Sequence, residues 1–280
     1  MLKTLKNILL LFIKLHKPIV SKNKSLKNIH KGETCFIIGN GGSLKLYDIS
    51  QIPLNTSIVC GYNLLDKRMD KLNIKYFVTT DSYSLYSILF NTYPFIRRFQ
   101  KNKIRPMFRE MFKKNPDLKI FVNITNIYST LCRRKNIYFY HYFNDKKSFK
   151  HDLAGSFSNC RAALDTMLGV AKYMGFSKAV LIGCDYLGTP PLMGHVYADV
   201  EPFSDPDVDL LYYRKRVKLA ADGIDVTVIL PDGIISPDFD YDSYENYFKL
   251  KKCSLKNTDF ISAEHIKMLR DASLVSQTIM

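Results

Sequence analysis

Six short groups of residues in this 280-residue chain combine types that could bind or transform a ligand. Gly39-Asn40-Gly41-Gly42-Ser43 follows the apolar run Thr34–Ile38. Glycines let a backbone approach an anion closely, and successive amide N–H groups can point at a phosphate. The loop lacks the third glycine of the dinucleotide fingerprint and the Gly-Lys-Ser/Thr of a P-loop, so alone it fits a nucleotide site and a tight turn equally. Gly61-Tyr62-Asn63, Thr79-Thr80-Asp81 and Gly183-Cys184-Asp185-Tyr186 each follow another apolar run. A carboxylate in such a place commonly binds ribose hydroxyls, and each group also reads as a turn or helix cap. His195, in Gly194-His195-Val196-Tyr197, is the one histidine of six on a strand-end loop facing the expected crevice. A neutral imidazole there could take a proton from a hydroxyl, or simply make a structural hydrogen bond. Asp238-Phe239-Asp240 imitates an Asp-x-Asp metal motif, but it sits in the acidic run Asp238–Asp242 past the last apolar run. It reads as a solvated turn, and no metal ligand is assigned.

These loops need a frame, and the apolar runs supply it. Thr34–Ile38, Ser57–Cys60, Lys75–Val78, Lys119–Val122, Ile137–Tyr140, Lys178–Ile182 and Val226–Leu230 have the length and apolar character of buried strands. Ala162, Ala163, Met167, Val170, Ala171 and Met174 recur at helical spacing within a helix expected over Asn159–Met174, with Gly175 as its stop. Asp209–Ala221 reads as a second helix. Alternating strands and helices predict an α/β, Rossmann-like, mostly parallel sheet flanked by helices, with its sites at the strands' carboxyl ends. The expected units are a basic N-terminal segment over 1–30, a nucleotide-binding domain over 31–252 and a helical tail over 253–280, with helical character from about residue 240. A basic stretch over 97–119 reads as a helical insertion.

Charge is concentrated. Residues 1–31 hold eight lysines and no acid, and 97–119 hold nine basic residues against Glu110 and Asp117. These +8 and +7 account for the whole net charge of +15, the rest of the chain is balanced, and both stretches, 1–31 and 97–119, are the expected contacts with an anionic membrane surface. Leu2, Leu5, Leu9, Phe12 and Ile13 fall near one helical face, bordered by Lys3, Lys6, Lys14 and Lys17. That pattern fits an interfacial amphipathic helix on an anionic membrane, or a helix that packs on the domain. No zinc-finger, RNA-recognition or heptad pattern is present, so nucleic acid is not the expected partner. The longest apolar run, Ile8–Ile13, is far short of the ~18 residues that suggest a span. It also lacks a small-residue cleavage site after it, and the chain reads as cytoplasmic, peripheral on the inner membrane face. None of the six cysteines stands in CxxC spacing, and they read as reduced thiols.

The order Phe36-Ile37-Ile38-Gly39-Asn40-Gly41-Gly42-Ser43-Leu44, then Asn63, then Asp81, then Gly175-Phe176-Ser177-Lys178-Ala179-Val180-Leu181-Ile182-Gly183-Cys184-Asp185 carries a resemblance. It resembles the bacterial sialyltransferases of glycosyltransferase family 42. It also resembles the domain-of-unknown-function 115 family, which includes 6-hydroxymethylpterin diphosphokinases and proteins of surface-glycan gene clusters. The resemblance spans about residues 31–237. It implies a nucleotide site in which Gly39–Ser43 face the phosphate, Asn63 follows the second strand, Asp81 replaces a third-strand asparagine and Asp185 lies near ribose and base. It further implies a CMP-sugar donor, no required metal and a histidine base, for which His195 is the candidate. Gly155 and Ser156 fall where the family has Thr-Ser-Gly before the long helix, and Gly42 replaces its proline. Tyr186 and Tyr197 are the candidates for its phosphate-binding tyrosines.

Three readings follow. The first is a nucleotide-sugar-dependent transferase acting on a glycan or glycolipid acceptor in surface glycan synthesis. The second is an ATP- and Mg²⁺-dependent pyrophosphokinase. The third is a nucleotide-binding protein without catalysis at the membrane. Composition and spacing set neither the donor sugar nor the oligomeric state.

Overall fold

Strands buried on both faces are apolar along most of their length, and the central strands here are so after a polar first residue, Thr34, Ser57 or Lys178. The structure, a computed structural model, describes residues 11, 15–80, 105–129, 133–143, 150–158, 162–192, 194–197 and 209–269. In β1 (Thr34–Ile38), β2 (Ser57–Cys60) and β9 (Lys178–Ile182), all residues except the first of β1 and of β9 are buried. With β3 (Ile74–Thr79), β4 (Lys119–Asn123), β5 (Ile137–Tyr140), β10 (Asp225–Leu230) and β11 (Asp240–Ser243) they form one eight-stranded sheet. Its order is β11-β10-β9-β1-β2-β3-β4-β5, and every neighbouring pair is parallel. A second sheet of three two-residue strands, β6 (Tyr142–Phe143), β7 (Lys150–His151) and β8 (Phe157–Ser158), follows β5.

Alternation along the strands divides the core. Phe36 and Ile38 of β1 join one cluster with Tyr47, Phe77, Phe108, Phe112 and Tyr244, while Cys35 and Ile37 join another with Phe157, Met167 and Val170. On the first face lies α1 (Arg105–Lys114), whose Met107, Phe108, Met111 and Phe112 are buried at helical spacing. This is the described half of the basic stretch. It is the crossover into β4, with Arg109, Lys113 and Lys114 turned to solvent. On the second face lie α2 (Ala163–Met174) and α3 (Leu210–Ala220). Gly175 ends α2 at φ 89°, and Phe176 N donates to Ala171 O across the cap, a conformation that glycine adopts without steric cost.

Two segments differ from the sequence expectation. Helical character was expected from about residue 240, but Asp240–Ser243 is an edge strand parallel to β10, followed by the single turn α4 (Tyr244–Phe248). An edge strand buries little of itself, so Asp240, Tyr241, Asp242 and Ser243 need no apolar signature. Beyond it the chain runs back along the glycine loop's own turn, with Cys253 N bonding Leu46 O and Leu255 N bonding Lys45 O. Phe260, Ile261, Ile266 and Leu269 then join the first core cluster. At the other end, Val20, Asn23 and Leu26 are buried, and Asn23 Nδ2 donates to Phe139 O and Leu153 O at 2.7 Å each. Residues 20–26 are therefore part of the folded body, although the sheet itself starts at Thr34.

Candidate nucleotide crevice at the switch point

From β1 the chain proceeds through β2, β3, β4 and β5 in one direction, and β9, β10 and β11 lie in the other. The order reverses between β1 and β9. In open α/β sheets the crevice outside the carboxyl ends at such a reversal is the ligand site. The loops leaving β1 and β9 are the glycine loop and Gly183-Cys184-Asp185. A cavity of about 190 Å³ lies there, lined by Asn40, Gly41, Ala162, Asp185, Tyr186 and His195 among others. It is smaller than the roughly 300–1,000 Å³ of typical small-molecule sites, and fits one ring or one phosphate group rather than a whole nucleotide-sugar.

The glycine loop is held by β9 more tightly than its composition suggests. Gly39 N donates to Ile182 O and Gly41 N to Gly183 O, both at 2.8 Å, extending the β1–β9 pairing past the strand ends. Ser43 N and Ser43 Oγ donate to the two oxygens of Asp185 at 2.7 and 2.6 Å. A Cβ on Gly39 would lie 2.4 Å from Gly183 O, and one on Gly41 would lie 2.4 Å from Asp185 Oδ2 and 2.6 Å from Gly183 O. Close protein–protein approach therefore requires these two glycines. The amides of 39, 41 and 43 therefore already have acceptors within the chain, and Asn40 is the cavity-lining residue of the loop whose amide is not among them.

Other side chains brace this arrangement. Asn63 is buried and donates to Ile38 O and Gly39 O at 2.9 Å, so it supports the loop from beneath. Tyr244 is fully buried. Gly183 N donates to its hydroxyl at 3.0 Å, and that hydroxyl lies 3.1 Å from Ser43 Oγ. Because Ser43 Oγ donates to Asp185, the chain of donors runs from Tyr244 to Ser43 to Asp185. Arg68 forks onto Asp66, donates to Leu44 O at 2.7 Å and Tyr47 O at 3.0 Å, and lies 3.8 Å over the Phe260 ring. Nothing in the local sequence marked Tyr244, Asp66 or Arg68, because their partners lie far away in the chain.

The second wall is the amino end of α2. Ala162, Ala163 and Leu164 line the cavity, so the end of a twelve-residue helix whose first amides have no intrahelical acceptor, and with it the positive dipole end, faces it. Asp165 takes the amide of Ala162 at 2.8 Å and pairs with Arg216 of α3. Tyr213 of α3 and Tyr186 close the side, edge to face at 5.9 Å.

The third wall is the loop carrying His195. Gly41 and His195 form an antiparallel bridge, and Val196 N donates to Asn40 O at 2.8 Å, which fixes the imidazole beside the glycine loop. The ring stacks on Tyr197 with centroids 5.0 Å apart. His195 is exposed at the crevice mouth, yet enough protein crowds the ring that desolvation holds its pKa below 6.5, against a smaller opposite effect from the Asn40 backbone. It is neutral near pH 7, the form that accepts a proton. Burial pushes Asp185 up to about 6, with the two Ser43 bonds opposing.

Of the sequence candidates, Gly39, Asn40, Gly41, Gly183, Asp185, Tyr186 and His195 meet at the cavity. Gly42, Ser43 and Asn63 belong to its supporting loop and brace. Tyr197 packs edge-on against Tyr62, and Asn257 donates to its carbonyl. Gly155 and Ser156 are exposed in the turn between β7 and β8, near Asp152, and do not line the cavity. Asp81 lies outside the described residues. Asp238 and Asp240 sit where β11 begins, at the sheet's opposite end, with Asp238 4.0 Å from Lys218. No group of three or more His, Cys, Asp or Glu that could hold a metal occurs among the described residues.

No family model matches the chain, and no curated protein matches it. The fold has a low-level likeness to solved structures of the sialyltransferase CstII from Campylobacter jejuni. One, in complex with a substrate analogue, cytidine-5′-monophosphate, is 14% identical with a TM-score of 0.33, covering 84% of this chain and 96% of that one. Another, in complex with CMP-3FNeuAc, is 14% identical with a TM-score of 0.31, covering 75% and 86%.

Proposed function

We propose that the chain is a glycosyltransferase that uses a nucleotide-activated sugar, a CMP-sugar in the reading its sequence resemblance favours. The observation that supports this is convergence at the β1/β9 reversal: a helix amino end, a braced glycine loop and a neutral histidine share one cavity. The nucleotide phosphate would sit at the amino end of α2, where the dipole and orphan amides favour negative charge. His195 would take the proton from an acceptor hydroxyl as the acceptor oxygen bonds the anomeric carbon. The bond from that carbon to the phosphate oxygen breaks, and the nucleotide leaves with the electron pair. Asp185, the carboxylate among the described cavity-lining residues, has both oxygens bonded to Ser43, which favours a reaction run without a metal held at that carboxylate.

A panel of nucleotides and nucleotide-sugars, with and without Mg²⁺, read by thermal shift and nucleotide release, tests this. CMP or a CMP-sugar should stabilise the full-length protein without metal; a ligand at 100 times its Kd adds about 2.7 kcal/mol. Stabilisation by ATP only with Mg²⁺ would replace this reading with a pyrophosphokinase. Nucleotide binding without release in the presence of glycan acceptors would leave a binding protein.

A further inference from the structure

The chain carries an exposed apolar stripe away from the cavity-lining residues. The amino-terminal segment is helical at residue 11 and over 15–21. Leu11, Leu15 and Ile19, spaced i, i+4, i+8, are 58%, 67% and 41% exposed. This spacing puts them along one helical face. Val20, one residue beyond the stripe, is 1% exposed, so the helix is fixed to the body by one side and shows leucine and isoleucine on another. Scattered exposed leucines are ordinary, but a stripe of three at one-turn intervals is a contact surface.

Charge says what it contacts. Residues 1–31 hold eight lysines and no acid; Lys17 is exposed on the helix itself, and Lys24, Lys27 and Lys31 are exposed in the turns that follow it. A protein partner would need an acidic rim around an apolar centre. An anionic bilayer offers both over any area, and cationic helices with an apolar face lie in its interface plane. Tyr128, 60% exposed, lies against His16 with ring centroids 6.0 Å apart and adds an amphipathic ring of the kind enriched at membrane interfaces.

Position adds a purpose. His16 meets Tyr128, which follows β4, so this helix passes the sheet's carboxyl end at His16 and descends to Lys22, whose Nζ bonds Lys135 O and Ile137 O at the amino end of β5. The stripe thus begins at the same end of the sheet as the crevice. We infer that Leu11, Leu15 and Ile19 insert into an anionic membrane surface and present the crevice to an acceptor carried on a lipid. Attachment itself does not depend on the proposed chemistry; only the lipid-borne acceptor rests on that reading. No helix among the described residues is long and apolar enough to cross a membrane.

The test is flotation of full-length protein with phosphatidylcholine vesicles and with vesicles containing phosphatidylglycerol, at low and high salt. Binding should require the anionic lipid and weaken as the Debye length falls from ~10 Å at 0.1 M to ~3 Å at 1 M. The variant Leu11→Ser/Leu15→Ser/Ile19→Ser should bind about tenfold more weakly or worse while keeping the wild-type melting temperature and nucleotide binding. The inference is overturned by no binding to anionic vesicles at low salt, by a triple variant that binds like wild type, or by a triple variant that melts markedly lower, which would mean the stripe packs within the chain. A concentration-dependent dimer in sedimentation that the triple variant abolishes would assign the stripe to a second copy instead. Loss of sugar transfer alone, with vesicle binding intact, would count against the proposed function and not against the membrane surface.

Discussion

Gly41→Ala tests whether protein contact, rather than ligand contact, demands glycine in the loop. The added carbon would lie 2.4 Å from Asp185 Oδ2, 2.6 Å from its carboxyl carbon and 2.6 Å from Gly183 O. Ordinary contact begins near 3.4 Å, so the neighbours must retreat by about 1 Å. Neither can do so freely. Gly183 O is main chain and accepts from Gly41 N, while Asp185 is buried and bonded twice to Ser43. Overpacking costs about 1–3 kcal/mol, and weakening one bond to a charged group about 1.5–3. With partial relaxation the expected loss is about 3 kcal/mol, or roughly 6–12 °C in melting temperature for a chain of this size. Urea unfolding followed by circular dichroism measures it. Ser43→Ala removes the hydroxyl's bonds at the same carboxylate, so the double variant should lose less than the sum of the singles by about 1 kcal/mol. A Gly41→Ala protein within about 0.5 kcal/mol of wild type, or strict additivity, would refute the reasoning. Reduced nucleotide affinity in an equally stable variant would return the glycine to the ligand.

Other expectations follow from the same geometry. Removing the proposed base with His195→Ala should lower transfer by roughly 10²–10⁴-fold and change nucleotide affinity little, and the wild-type rate should hold from pH 8 to about 6.5 and fall only below it; steady-state kinetics decides, and a few-fold effect would remove His195 from the mechanism. Tyr244→Phe keeps the stack on Tyr47 at 4.2 Å but strands the Gly183 amide, so it should cost about 1–3 kcal/mol in denaturant unfolding, with no change expected if the hydroxyl were idle. Burial holds His151 down to about 4, so the unfolded chain takes up a proton at 6.5 that the folded chain resists, and stability falls as pH drops from 6.5 toward 4. Asp185, raised to about 6, acts in the opposite sense between 6 and 3.8, and His151→Phe should therefore lessen the acid loss, by about 1–2 kcal/mol once solvent screening of the half-buried ring is allowed for.

The central strands were legible because burial on both faces writes itself as unbroken apolar runs, such as Thr34–Ile38, Ser57–Cys60 and Lys178–Ile182, which match the strands residue for residue. The α2 stop was legible because a left-handed cap calls for Gly175. The edge strand Asp240–Ser243 was not, since a strand with one neighbour and two exposed residues carries polar side chains at no cost. Nor was the amino end of α2 as a crevice wall: Ala162, Ala163 and Leu164 offer backbone amides, which leave no mark on residue type. The glycine loop was found for an incomplete reason. Glycine-rich spacing is the same whether the approaching atom is a phosphate oxygen or Asp185 Oδ2, and only the fold distinguishes them.

That ambiguity bears on how the crevice works. A loop whose amides at 39, 41 and 43 are committed to β9 and Asp185 is a rigid support rather than a flexible cradle. Its rigidity reaches His195 through the Gly41 bridge and the Asn40 carbonyl, so the imidazole and the loop are held as one unit. It reaches the sheet's far edge through Tyr244, which joins the end of β11 to Gly183 and Ser43. A catalytic group must be held to within fractions of an ångström to be useful, and loops seldom achieve this alone. Here the supports come from elements as distant as Asn63, Arg68, Asp185 and Tyr244, all of them buried. A buried polar network of this kind is costly to leave half-satisfied. Its presence at the strand-order reversal, rather than elsewhere in the sheet, is the physical reason to look for the chemistry there.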